Sequence, residues 1–225
     1  MLRRALVLGA TGLVGSHCVE HLAEHASYGS VTCLVRRPAT PPIPARGKVH
    51  ERIVDFSALE LADVEPVDDV FCAIGTTMKK AGSREAFRRV DFELPLRVTE
   101  LAVSVSAKRL ALVSSVGANA GSSNFYLRTK GELEEVLAKL PVGALHILRP
   151  SLLLGERAES RPGEAIASVL SRATSGLLVG RLRKYRPIEA DQVARAMIAA
   201  MVAPDPTTPR QVYEHDAIVD LAARI

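Results

Sequence analysis

The chain has 225 residues, with 29 Lys and Arg against 25 Asp and Glu, three cysteines and no Trp. At 48% hydrophobic residues it is too apolar for disorder, and its length suits one large α/β domain better than two independent ones. A net charge of +4 interspersed with acids gives no case for nucleic acid, no run of about 18 apolar residues marks a membrane span, and Cys18, Cys33 and Cys72, with no CxxC spacing, read as reduced core thiols of a cytoplasmic protein.

Short apolar runs alternate with stretches of helical period, the pattern of βα units feeding a parallel sheet. A first strand over Arg4–Leu8 passes through GATGLVG into a helix over Leu13–Ala26. In such a turn Gly9 supplies the bend, Gly12 lets a pyrophosphate approach the backbone, and Gly15 lets helix and strand pack closely. The phosphates then meet N–H groups at the positive end of the helix. A second strand, Val31–Val35, ends in LVRRP, placing Arg36 and Arg37 where a chain selecting NAD carries an acid for the ribose 2′-hydroxyl. Two guanidiniums suit the 2′-phosphate of NADPH or NADP+ instead.

Pro38–Gly47, with four prolines, is expected to replace a crossover helix with a loop. The third strand, Arg52–Val54, ends in VDF, where Asp55 and Phe56 would lie beside an adenine; Asp55 either accepts from the adenine amino group or caps a weak helix over Ser57–Leu61. A fourth strand over Val70–Ile74, a helix over Arg84–Ala107 and a fifth strand over Arg109–Val113 follow. A helix over Phe125–Leu140 and a sixth strand over Leu145–Leu148 complete the alternation. After Pro150 the rhythm changes, and helices are expected over Ala165–Thr174, Ala190–Val202 and Ala217–Ala223, with a short strand over Lys184–Ile188. The fold expected is a Rossmann-type doubly wound parallel sheet with helices on both faces. It forms a single domain over residues 1–225, with residues 151–190 a small substrate-side extension.

Tyr126 and Lys130 are four apart on a predicted helix and so share a face. A tyrosine hydroxyl, with an ordinary pKa near 10, exchanges protons more readily when an adjacent ammonium favours the phenolate. Ser114 and Ser115 follow the fifth strand, on the carboxyl edge where α/β ligand sites form. Either could hold a substrate oxygen, with Ser115 preferred. His17, His21 and His25 have a spacing that can hold zinc, but they border an apolar arc beside Glu20 and Glu24 and read as a solvated edge, so no metal is expected. RLRKYR, Arg181–Arg186, reads as a solvated strand or a wall for an anionic substrate rather than a nucleic-acid patch, and Met197 and Met201 read as core.

Together these residues resemble the short-chain dehydrogenase/reductase superfamily in its extended and atypical branches. GATGLVG is similar to the extended-type glycine signature, YLRTK to YxxxK, and LRPSLLLG to the Arg-Pro segment after the sixth strand. LVRR, VDF, IGTTMKKAG, FRRVD, SSNFYLRTKGE and AESRPGE, in this order, resemble the oxidoreductase-like Tat-interacting protein family more closely. The resemblance implies NADPH held by Thr11, Gly12, Leu13, Val14, Arg36, Arg37, Ile74, Gly75, Tyr126, Lys130, Leu153 and Arg161. Two features depart from the pattern: Asp91 stands where extended members commonly have Asn, and the stretch after SSNF is one residue shorter.

The function expected is NADPH-dependent hydride transfer to or from a carbonyl or alcohol carbon of a small molecule. Tyr126 would be the general acid, Lys130 the ribose anchor, and Ser115 the group orienting the substrate oxygen. The chain would act as a monomer or homodimer. The rival expectation is an NADPH-binding regulator acting through a protein partner, favoured by the small region after Pro150.

Overall fold

The computed structural model describes residues 1–40, 42–43, 47–155, 178–204 and 208–225. Its strands are β1 (Arg3–Leu8), β2 (Tyr28–Val35), β3 (Val49–Ile53), β4 (Asp69–Cys72), β5 (Arg109–Val113), β6 (Ala144–Leu148), β7 (Leu153–Leu154), β8 (Ile188–Glu189) and β9 (Arg210–Tyr213). Its helices are α1 (Leu13–Glu24), α2 (Met78–Ala81), α3 (Arg84–Arg88), α4 (Leu94–Val105), α5 (Phe125–Leu137), α6 (Ala190–Val202) and α7 (His215–Ala222). Seven strands form one sheet in the order β3-β2-β1-β4-β5-β6-β9, all parallel, and β7 and β8 pair separately.

A parallel sheet needs cover on both faces, and the period of two in its side chains supplies two apolar surfaces. Ala5, Val7, Cys33, Phe71 and Ala111 face one way and pack with the buried residues of α1, α6 and α7. Leu6, Leu8, Leu34, Val70 and Leu112 face the other way and pack with Val98 and Ala102 of α4 and Leu133 and Leu137 of α5. This is the doubly wound arrangement expected. The order reverses at β1, so the carboxyl ends of β1 and β4 border the crevice where such folds take a ligand.

Several expected elements differ. The long helix over Arg84–Ala107 is interrupted by a π-turn at Arg89–Glu93. Pro95 explains it: without an N–H, it cannot donate to the carbonyl four residues back, which belongs to Asp91. No helix forms over Ser57–Leu61; the chain makes a turn after Asp55 and then a 3₁₀ helix over Leu61–Asp63. The Lys184–Ile188 strand is replaced by a 3₁₀ helix over Gly180–Tyr185 followed by β8, because Arg183 and Lys184 pair with Asp216 and Glu214 around α7 instead of extending. The helix expected over Ala165–Thr174 lies outside the described residues. Between β2 and β3 the described residues are loop, tied down where Glu51 accepts from the N–H groups of Ala39 and Ile43, both at 3.2 Å.

Other expectations on the core hold. Met197 and Met201 are fully buried. The three cysteines are buried free thiols, and burial pushes Cys72 up to about 11 and Cys33 up to about 12, leaving both protonated at neutral pH. His17 pairs with Glu20, and His21 bonds Asp191 at 2.6 Å, fastening α1 to the first turn of α6.

Candidate functional site

The glycine turn is determined by backbone contact. Gly9 has φ of +92°, and a Cβ there would stand 2.6 Å from Ile74 N and 2.7 Å from the Ala73 carbonyl carbon. Only glycine lets the end of β1 lie this close to the end of β4. A Cβ on Gly15 would stand 2.0 Å from the Gly9 carbonyl oxygen, so α1 packs directly on the turn that precedes it. Gly12 caps α1 with no side chain to accept from the first-turn N–H groups, and a Cβ there would meet the Gly9 oxygen at 3.1 Å. Thr11 and Gly12 are exposed, Leu13 is half-buried and Val14 buried. An uncapped helix start leaves its first N–H groups without a side-chain acceptor, the polarity a pyrophosphate takes, so these residues fit a dinucleotide.

Arg36 and Arg37 are exposed immediately after β2. Asp55 is exposed too. Its Oδ1 accepts from Ser57 N–H at 2.8 Å and Ser57 Oγ at 2.7 Å, bonds that hold its carboxyl below the usual range. It therefore caps a turn and not the helix anticipated there, while Phe56 packs partly against the core. On the other side of the crevice, a Cβ on Gly155, just past Leu153 in β7, would stand 3.0 Å from Leu13 Cδ1, which puts this segment beside the start of α1. Arg161 lies outside the described residues.

The second half of the site forms around Lys130. Asn124 caps α5 by accepting from Leu127 N–H at 3.2 Å, which starts the helix one residue before Tyr126. Tyr126 is half-buried with its ring 5.5 Å from that of Phe87. One turn on, Lys130 is buried, and its Nζ lies 2.7 Å from Asp91 Oδ1. Asp91 is wholly buried in the π-turn and accepts from Thr76 N–H at 2.8 Å through Oδ2. Gly75 lies over the pair: a Cβ on it would come within 3.3 Å of Asp91 Oδ1 and 3.7 Å of Lys130 Nζ. Burial alone would push the Lys130 ammonium down, but Asp91, followed by Tyr126, outweighs it and holds Lys130 above its ordinary value.

The two serines separate clearly. Ser114 is buried and donates to Glu134 at 2.5 Å, joining a carboxylate that also takes Arg149 at 2.5 Å and Arg210 at 3.1 Å. Ser115 is half-buried, and among the described residues its hydroxyl makes only a long contact of 3.5 Å to the Val116 carbonyl. Ser114 is thus part of a brace joining the ends of β5, β6 and β9 to α5, and Ser115 remains available at the sheet edge.

Sequence reasoning missed several residues that shape the site. Gly131 is buried in α5, where a Cβ would stand 2.2 Å from Ala120 N. Glu134, Arg149, Arg210 and Thr76 were also passed over. A glycine inside an otherwise helical pattern was the legible signal for Gly131, since a helix retains one at a cost when something packs against it.

The fold and sequence have known counterparts. In fold, the chain is similar to MoeE5 solved with UDP-glucose and NAD (TM-score 0.69, 20% identity, 98% of this chain and 81% of that one). It is likewise similar to ADP-L-glycero-D-manno-heptose-6-epimerase of Helicobacter pylori (TM-score 0.68, 17% identity, 99% and 82%). In sequence it is 35% identical to Protein HTATIP2 of Rattus norvegicus over 221 residues, 97% of this chain and 89% of that protein. It is 39% identical to the mitochondrial protein FMP52 of Candida albicans over 196 residues, 85% of each. Among the described residues, no helix is long and apolar enough to cross a membrane. With the NAD-dependent epimerase/dehydratase family model matching residues 5–214, the chain belongs to that family, within the extended short-chain dehydrogenase/reductases its motifs resemble.

Proposed function

We propose that the protein is an NADPH-dependent oxidoreductase acting on a carbonyl or alcohol carbon of a small molecule. The observation that carries this reading is the placement of Tyr126 one turn before the buried Lys130, at the crevice edge that also holds the glycine cradle. The cradle over Gly12, Leu13 and Val14 would take the pyrophosphate, and Arg36 and Arg37 the 2′-phosphate. Bound there, the nicotinamide supplies or accepts hydride. Lys130 would anchor the neighbouring ribose, Ser115 would orient the substrate oxygen, and Tyr126 would donate the proton to that oxygen in reduction or remove it in oxidation. The buried thiols suit a reducing compartment. Cytoplasmic residence is the reading we favour, although the Candida albicans relative is named mitochondrial.

The test is a fluorescence titration of the purified chain with NADPH and NADH, beside a screen of carbonyl substrates. Arg36→Ala/Arg37→Ala should abolish a preference for NADPH, each lost charge-assisted contact weakening binding by roughly 10-fold. Tyr126→Phe should leave NADPH affinity nearly unchanged and remove turnover. Equal loss of turnover and affinity in Tyr126→Phe, with the fold intact, would remove the proton-donor role.

A further inference from the structure

Asp91 presents an unusual electrostatic arrangement. It is a fully buried carboxylate facing a buried ammonium at 2.7 Å, with Oδ2 bonded to Thr76 N–H and Oδ1 turned to the ammonium, its one partner among the described residues. The ion pair with Lys130 is therefore what compensates that oxygen. The π-turn enforced by Pro95 fixes the Asp91 backbone, and Gly75 seals the pair from the β4 side. Among the described residues, the titratable groups that face Lys130 are Asp91 from the π-turn, Tyr126 from its own helix and Cys72 from β4. Of these, Asp91 is the one at ion-pair distance from the ammonium, and burial keeps the Cys72 thiol protonated.

We propose that Asp91 is a positioning residue that serves as the site's counter-charge: it holds Lys130 in place and cancels most of the positive field that Lys130 would otherwise direct at Tyr126. With Asp91, the carboxylate, ammonium and phenol together are neutral, and loss of the phenol proton creates net negative charge in a low-dielectric site. With an amide in its place the set is positive, and the same proton loss makes it neutral. Asp91 thus sets proton exchange through Tyr126 to higher pH than Asn at this position would. The part of this inference that concerns turnover rests on the proposed oxidoreductase reading; the electrostatic part does not.

The test is an ultraviolet tyrosinate titration of the full, ligand-free chain, comparing parent and Asp91→Asn. Subtracting the matching Tyr126→Phe variants isolates Tyr126 from the other tyrosines. Asp91→Asn should shift the Tyr126 midpoint down by about 1 pH unit, roughly 10-fold more tyrosinate at a given pH below the midpoint. Adding Lys130→Met to that variant should bring the midpoint back up. Asp91→Asn also strands a buried ammonium, so it should unfold at lower urea than the parent, and Asp91→Asn/Lys130→Met should recover much of the loss. A folded Asp91→Asn whose Tyr126 midpoint is unmoved or higher overturns the proposal. So does a double variant no more stable than Asp91→Asn alone. Because no turnover is measured, failure to reduce any carbonyl would count against the proposed function and leave this result standing.

Discussion

Gly131→Ala is a sharp test of how α5 is seated, because two opposing effects differ in size. In an exposed helix the change would stabilise by about 1 kcal/mol, since glycine loses more backbone freedom on folding than alanine. Here the new Cβ would stand 2.2 Å from Ala120 N, 2.3 Å from the Asn119 carbonyl carbon and 2.6 Å from Asn119 Cα. All three are backbone atoms, so no side chain can swing aside, and α5 must move away from the loop after β5. That loop is tied to the helix where Asn119 N–H donates to the Leu127 carbonyl at 3.1 Å, so retreat also strains this bond. Overpacking costs of roughly 1–3 kcal/mol, or more against backbone, exceed the propensity gain, leaving a net loss of about 1–2 kcal/mol. For a chain of this size, this lowers Tm by roughly 2–8 °C. Lys130 is the preceding residue and Tyr126 lies one turn earlier, so the displacement falls on the proposed proton donor. Urea unfolding followed by circular dichroism measures the first effect, and single-turnover reduction the second. A Gly131→Ala protein as stable as the parent, or more so, would show that the helix does not depend on this close approach.

Two further predictions concern the supports of the fold. Glu134→Gln removes the charge that Arg149 and Arg210 share while keeping an acceptor for Ser114, and should cost stability near or below the low end of the roughly 3–5 kcal/mol for breaking a buried pair, because both guanidiniums are partly solvated; an unchanged urea midpoint would refute the brace. Burial first, then Lys48 and Arg3, hold His25 below its ordinary value of 6.5, so the unfolded chain takes up the proton more readily. Its contribution is therefore complete above that pH and is lost as pH falls through the window below it. The stability gap between the parent and His25→Gln should shrink between about pH 7.5 and 5.5, while a gap independent of pH would contradict this.

Legibility followed burial. β1, β5 and β6 lie inside the sheet, where both faces are covered, and their continuous apolar runs placed them within a residue or two. Within the seven-stranded sheet, the two edge strands were read least well. β3 is VHERI, expected only from Arg52, and β9 is RQVY, not anticipated at all; each has one neighbour and half-exposed residues, so neither carries a strong apolar signal. The glycine turn was legible because its spacing follows a strand and opens a helix. The π-turn was not, although Pro95 stood in the sequence as a helix breaker, because its ring is tolerated by widening one turn rather than ending the helix.

What distinguishes the site's proposed reactive groups from its framework is how their polar atoms are engaged. The buried groups along the crevice are committed: Lys130 to Asp91, Ser114 to Glu134, and Glu134 in turn to two arginines. The half-buried hydroxyls of Ser115, just after β5, and Tyr126, in the first turn of α5, have no comparably short bond among the described residues. A buried polar group without a partner is costly, so pairing of the interior ones follows from stability alone. Hydroxyls left open at the mouth can be met by water or by a ligand, and bonding a substrate oxygen is the role proposed for both. If instead these hydroxyls only solvate the surface, Ser115→Ala and Tyr126→Phe should change stability by less than about 0.5 kcal/mol and leave turnover as it was; loss of turnover at unchanged stability assigns them to the chemistry.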